Sequence, residues 1–195
     1  TSTPTSGGTF TVDNTSPSAA ITYEAVSQKV AGDIYTADDQ VKIIATFDTN
    51  IVSTPTPQIV LSGAQTLAPT DMQKSVGVDN TYEYVHTITS SGTGTVNVSL
   101  ATARDAAANT VLPTPTSGET FTIDNQGPTA TLSYVTDGQT SAGPFNEGTT
   151  ITITAIFDEA MSDLTVPQIT MSGSGTLSTE LLASTPMTKV NSTTF

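Results

Sequence analysis

Apolar and polar residues alternate along much of this chain, the period of strands that turn one face toward a core. Val41, Ile43, Ala45 and Phe47 fall on one face of such a strand, with Lys42, Ile44 and Thr46 on the other. Val96, Val98 and Leu100 alternate with Asn97 and Ser99, and Phe10 and Val12 with Thr9 and Thr11. Tyr82, Tyr84, His86 and Ile88 share a face of another strand, and Ala19–Tyr23, Gln58–Leu61 and Asp71–Val76 bring the total to about seven. Gly63, Gly77, Gly92, Gly94 and Gly118, with Pro55, Pro57, Pro69, Pro113 and Pro115, supply the breaks between them. No segment carries a sustained helical period with caps, so the pattern predicts an all-β chain.

The pattern also repeats. Residues 4–14 read PTSGGTFTVDN and residues 115–125 read PTSGETFTIDN, an offset of 111. VKIIATFD (41–48) matches ITITAIFD (151–158), and PQIVLSGAQTL (57–67) matches PQITMSGSGTL (167–177), both at an offset of 110. A period this long is a whole domain rather than a solenoid unit. The boundaries that follow are 1–14 as the final strand of a preceding repeat, 15–125 as a complete repeat, and 126–195 as the N-terminal part of the next. The two partial pieces lack the stretch matching Val85 to Val111, which predicts either a window on a longer polymer of domains or strands exchanged between copies.

About seven antiparallel strands in roughly 110 residues is the count of an immunoglobulin-like β-sandwich. With no Cys and no Trp, the disulfide and core Trp of antibody domains are both missing, and the core must rest on Val, Ile, Leu, Phe and Tyr. PTSGxTFTxDN, the run from Ile151 to Met161, VPQITMSG (166–173) and RDAAAN (104–109) resemble the tandem bacterial Ig-like repeats of very large prokaryotic surface proteins, such as giant adhesins and S-layer-type proteins. RDAAAN departs from the D-x-A-G-N form of those repeats in having Ala108 where Gly is common, and FDTNIVS (47–53) departs from FDEAMSD (157–163). The resemblance implies a non-enzymatic extender or stalk in a secreted or cell-surface protein of a prokaryote. Its partners would be adjacent repeats and other copies of the same chain. A self-assembling S-layer or filament subunit with strand exchange, and an adhesive module for glycans or cells, are the alternatives. With aromatics at 6% the chain offers no platform for sugars.

Charge narrows the partners further. Eighteen acids against five bases give −13, which excludes a basic surface for nucleic acid, and no apolar span long enough for a membrane helix occurs. Catalytic signals are weak. His86 is the only His, no G-x-S-x-G occurs, and Asp158 and Glu159 are adjacent rather than converging across a cleft. SGTGT (91–95) and SGSGT (172–176) precede no helix and read as hairpin turns, so no enzyme is expected.

The acids cluster at predicted domain entrances. Sandwich topology places Asp13 and Asn14 beside Asp48 and beside Asp105 with Asn109 at the entrance to the complete repeat. At the next entrance it places Asp124, Asn125, Asp158, Glu159 and Asp163, with Asp33, Asp38 and Asp39 approaching from the other side. Carboxylate and amide oxygens without His or Cys suit a hard cation, and Ca²⁺ is the expected ligand, as the resemblance also implies. The plainer alternative is that these residues form turns. N-x-S/T sequons occur at Asn14, Asn97 and Asn191, and Asn97 is the glycosylation candidate because Val96 and Val98 turn it outward.

Overall fold

The computed structural model describes residues 7–27, 34–136, 145, 148–161, 166–172 and 183–195. Asp33, Asp163 and residues 173–177 of the second PQI match lie outside the described residues, as do residues 1–6. The chain divides into two compact units, Thr1–Gln126 and Gly127–Phe195, and the described residues contain strands and no helix.

Among its described residues the first unit has nine strands: β1 (Ala19–Ser27), β2 (Ile34–Tyr35), β3 (Gln40–Phe47), β4 (Gln58–Gly63), β5 (Leu67–Asp71), β6 (Gln73–Lys74), β7 (Thr81–Thr87), β8 (Gly94–Ala101) and β9 (Thr120–Ile123). One sheet has the order β1-β3-β7-β6 and is antiparallel throughout; the other has the order β2-β9-β8-β4-β5, with β2 and β9 parallel. Alternation decides what each sheet contributes. Ile21, Ile43 and Tyr82 of the first and Ile59, Val98 and Phe121 of the second join a single buried cluster, while Lys42 on the opposite face of β3 reaches Glu24 at 3.2 Å. Aromatic rings pack in and against that core: Phe121 lies 5.2 Å from Tyr23 and 5.9 Å from Tyr35, and Phe47 meets Tyr82 edge-on at 5.8 Å. These are the favoured separations for quadrupolar contact.

Three expectations change. The alternating segment around Phe10 and Val12 is not a strand, and those side chains are 89% and 63% exposed. Its near-copy at 118–125 does form β9, because there it is flanked by β8 and β2. The run Asp71–Val76 is not continuous. Met72 is buried between β5 and β6, its N–H donating to the Pro57 carbonyl at 2.9 Å, and there the chain passes from one sheet to the other. SGTGT (91–95) is likewise no hairpin turn, since it connects β7 of one sheet to β8 of the other. Gly118, at φ 68°, brings β9 so close to β1 that a Cβ would collide with the Ile21 carbonyl.

The second unit contains β10 (Ala130–Thr136), β11 (Ile151–Phe157), β12 (Gln168–Ile169) and β13 (Thr185–Pro186), paired β10 with β11 and β12 with β13. Several details repeat the first unit. Ala130 pairs with Phe157 as Ala19 does with Phe47. Phe157 meets Phe195 edge-on at 5.8 Å, and the Met187 N–H donates to the Pro167 carbonyl at 2.9 Å.

Ile43→Ala, which empties a fully buried site, is expected to lower the unfolding free energy by about 2–5 kcal/mol in urea titration. Thr46→Ser on the outer face of the same strand should stay within about 0.5 kcal/mol.

Candidate functional site

The acids at the start of the first unit are held by the strand ends they flank. The Asp48 carboxylate, just past β3, accepts the Ser18 N–H at 3.0 Å on one oxygen and the Ser18 hydroxyl at 2.7 Å on the other. This pins the residue before β1 to the end of its partner strand. Asp105 folds its own loop: one oxygen accepts the N–H groups of Ala107 at 2.9 Å and Asn109 at 2.8 Å, and the other accepts the Asn109 side-chain amide at 2.9 Å. A bridge between Ile51 and Asp105 ties this loop to the one after β3. Asn109 also donates to the Asp13 carbonyl at 3.1 Å, and the Asp13 carboxylate accepts the Thr15 N–H at 2.9 Å. Asp13 and Asn109 are therefore brought together, with Asp105 beside them. Asn14 has no hydrogen bond to that group among those resolved, and it is exposed.

At the opposite end of the strands the chain leaves through Asp124 and Asn125. The Asn125 side chain accepts the Ala37 N–H at 2.7 Å and donates to the carbonyls of Thr89 at 3.0 Å and Gly92 at 2.8 Å, binding the loop after β2 to the one between β7 and β8. Asp124 turns its carboxylate to the Gln126 N–H at 3.0 Å. Asp39, almost fully buried, braces the loop after β2 by accepting the Thr36 N–H at 2.8 Å, and neighbouring Asp38 adopts φ 71°. In the second unit Asp158 accepts the Thr129 N–H at 2.8 Å and the Thr129 hydroxyl at 2.6 Å, the same two-point clamp that Ser18 and Asp48 make. Glu159 follows it in the same bend.

Hydrogen bonds to the charged form depress a carboxyl pKa. The Ser18 hydroxyl and N–H hold Asp48 below the usual carboxylate range, the Asn109 amide foremost does so for Asp105, and the Thr129 hydroxyl and N–H for Asp158. Among the described residues no group of three or more Asp, Glu or His side chains converges as a metal cluster would. An ionised carboxylate offers about four lone-pair sites; the contacts above occupy two of them in Asp48 and Asp158 and three in Asp105, so ligand capacity beyond the structural role is smallest at Asp105.

Sequence reasoning missed three partners. Ser18 and Thr129 share one trace, a separation of 30 and 29 residues from their Asp, but as ordinary hydroxyl residues they do not stand out until the strand ends are placed. Gln65 leaves no such trace. It is buried, accepts the Thr89 N–H at 3.0 Å and hydroxyl at 2.9 Å, and donates to the Ser91 carbonyl at 2.6 Å. His86 packs against it, Nε2 lying 3.4 Å from the Gln65 carbonyl oxygen, and burial lowers the imidazole pKa. That is the setting of a core histidine. Asn97 is exposed on β8, as its alternation predicts.

No protein-family model, curated protein or solved structure matches the chain.

A carboxyl whose folded pKa is depressed stabilises the fold above its unfolded pKa of 3.8, and that contribution is lost as pH falls through the lower folded value. Asp105→Asn is therefore expected to melt below the unaltered protein at pH 7, with the gap closing below pH 3.8 in calorimetry. Ala108 sits at φ 69° in the same loop, where a Cβ is disfavoured. Ala108→Gly should raise the unfolding free energy by about 0.5–1 kcal/mol in urea titration.

Proposed function

We propose that the chain is a non-enzymatic structural segment of a large repetitive extracellular protein, in which Ig-like β-sandwich domains in series act as a stalk at a prokaryotic cell surface. The observation that carries this reading is the recurrence of local detail at a spacing of 110–111 residues. The β1/β3 register and the Ser18–Asp48 clamp return as the β10/β11 register and the Thr129–Asp158 clamp, and the edge-on Phe47–Tyr82 pair has a parallel in Phe157–Phe195, whose second ring lies 113 positions on. A sequence that repeats its strand-end fastenings along with its core is suited to a series of similar modules, each folding around its own apolar cluster. The resemblance of PTSGxTFTxDN and RDAAAN to surface-protein repeats supports the location.

In this proposal the acidic strand ends have two tasks. Asp48, Asp105 and Asp158 close loops within a module, and their remaining lone pairs, with Asp13, Asn14, Asn109, Asp124, Asn125 and Glu159, take up Ca²⁺ where modules succeed one another. Neutralising that charge would stiffen the array, because −13 on a 195-residue chain is self-repelling.

Two measurements separate these claims. In small-angle scattering of proteins with two, three and four complete repeats, the stalk reading expects the maximum dimension to grow by a constant step per repeat; a compact particle would sink it. Melting of the two-repeat protein in Ca²⁺ against chelator should differ by several degrees. Coincident melting curves would remove calcium and leave the stalk standing.

A further inference from the structure

A continuous polar network runs through the first unit at the end where the chain leaves it. Gln65, 2% exposed in the turn between β4 and β5, stands at its centre. Its side-chain oxygen accepts the Thr89 N–H at 3.0 Å and the Thr89 hydroxyl at 2.9 Å, and its amide donates to the carbonyls of Ala64 at 3.1 Å and Ser91 at 2.6 Å. The turn thereby fastens the loop between β7 and β8. Asn125 fastens the same loop a second time, through the Thr89 and Gly92 carbonyls and through its own N–H, which donates to the Thr93 hydroxyl at 2.9 Å. Thr89 bonds to both amides, so Gln65 and the exit residue Asn125 are joined through one short loop.

His86 is the titratable end of this network. It is 7% exposed, and its Nε2 lies 3.4 Å from the same Gln65 oxygen. Thr89 already fills both lone pairs of that oxygen, which leaves it little capacity to stabilise a charged ring. Along β7, Tyr84 stacks on the imidazole at 6.4 Å, and across on β3 the residue opposite is Val41. Lys42 points to the outer face, where it meets Glu24 and Glu83. Asp39, buried just before β3, pairs through its backbone with Ile88, and its carboxylate braces the Thr36 N–H and hydroxyl. Among the described residues no carboxylate forms an ion pair with His86. Burial therefore lowers the imidazole pKa below its ordinary 6.5 with no charge to offset it.

We infer that His86 is an acid-sensitive latch: with the ring neutral, Gln65 holds the loop between β7 and β8 closed on Asn125, and a proton on the ring lifts the Gln65 turn and releases that loop. A buried imidazolium without an acceptor is costly, and lifting the turn admits water to solvate it. Because the Gln65 bonds to Thr89 and Ser91 belong to one amide, they are lost together, and the Asn125 bonds to the same loop weaken with them. A base whose folded pKa is lowered supports the closed form fully above 6.5, and that support is lost as pH falls through 6.5 toward the lower folded value. The latch belongs to this copy of the repeat, since Gly175 stands where Gln65 does at the repeat spacing. It goes beyond the stalk reading and does not depend on it, because every group involved lies within one module.

Hydrogen exchange followed by NMR tests this on the full chain, with chelator present so that calcium does not enter the comparison. Each amide rate is taken relative to the unstructured rate at the same pH. Between pH 7.5 and pH 5.0 the protection of the Thr89, Ala37 and Asn125 amides should fall about tenfold, the effect of one pKa unit. The Phe47 and Asp48 amides, bonded to Asn80 and Ser18 at the other end of the strands, should keep theirs. In His86→Gln, which stays polar and takes up no proton, protection at Thr89 should be the same at both pH values. The imidazole carbon-13 shift of the unaltered chain gives a reading that needs no variant: its titration midpoint should coincide with the loss of protection. A loss that persists in His86→Gln would overturn the proposal. So would a Thr89 amide in the unaltered chain that stays equally protected down to pH 5.0, whether or not the ring titrates, and either result leaves the stalk reading intact.

Discussion

No strand here is stable alone. A strand satisfies its backbone only through a neighbour, and it hides its apolar face only under an opposing sheet. The first unit meets both demands with two sheets and one shared core, and it does so without a disulfide or a Trp. The dependence is clearest in the two near-identical octapeptides. At 118–125 the sequence lies between β8 and β2 and becomes β9, with Ile123 fully buried; at 7–14 it has neither neighbour, forms no strand and is exposed. The difference lies in the available partner, since local propensity is nearly the same.

The same demand explains the acids. Where a strand ends, its last N–H groups lose their ladder partners, and a short carboxylate reaching back from the adjoining loop is an economical replacement. Asp48 does this for Ser18, Asp158 for Thr129, and Asp105 for its own turn. The net negative charge of the chain is therefore partly a by-product of finishing strands. Uncharged Asn125 performs the equivalent task at the exit, fastening two loops without adding to the repulsion.

What could be read from the residues follows from range. The faces of β3 and β8 were legible, because alternation reports a strand whose two sides differ in burial, and Val41, Ile43, Val96 and Val98 are all buried as read. Clustering of Asp13 with Asn109 was legible from topology. The failures are non-local. Alternation at Phe10 and Val12 cannot say whether a neighbour is present, and nothing in Asp71–Val76 announces that Met72 crosses between sheets. SGTGT looked like a hairpin for the same reason. That the acids serve as braces depends on Ser18 and Thr129, residues too ordinary to single out before the strand ends were placed. Gln65 gave no signal at all, since a lone amide after a glycine turn looks like surface until the loops at Thr89 and Ser91 close over it.

The parallel contact between the start of β1 and the return segment ahead of β9 bears on mechanics. The Ile21 N–H donates to the Ser117 carbonyl and the Thr116 N–H to the Ala19 carbonyl, so the entering and leaving stretches run side by side in the same direction. The chain enters this unit at one end of the strands and leaves past Asn125 at the other. Tension applied through the two termini would slide these segments along each other, loading their hydrogen bonds in shear and at the same moment. An antiparallel hairpin at the termini would instead unzip one bond at a time. Such a module resists pulling through the direction in which its outermost strands run, a property separate from its thermodynamic stability.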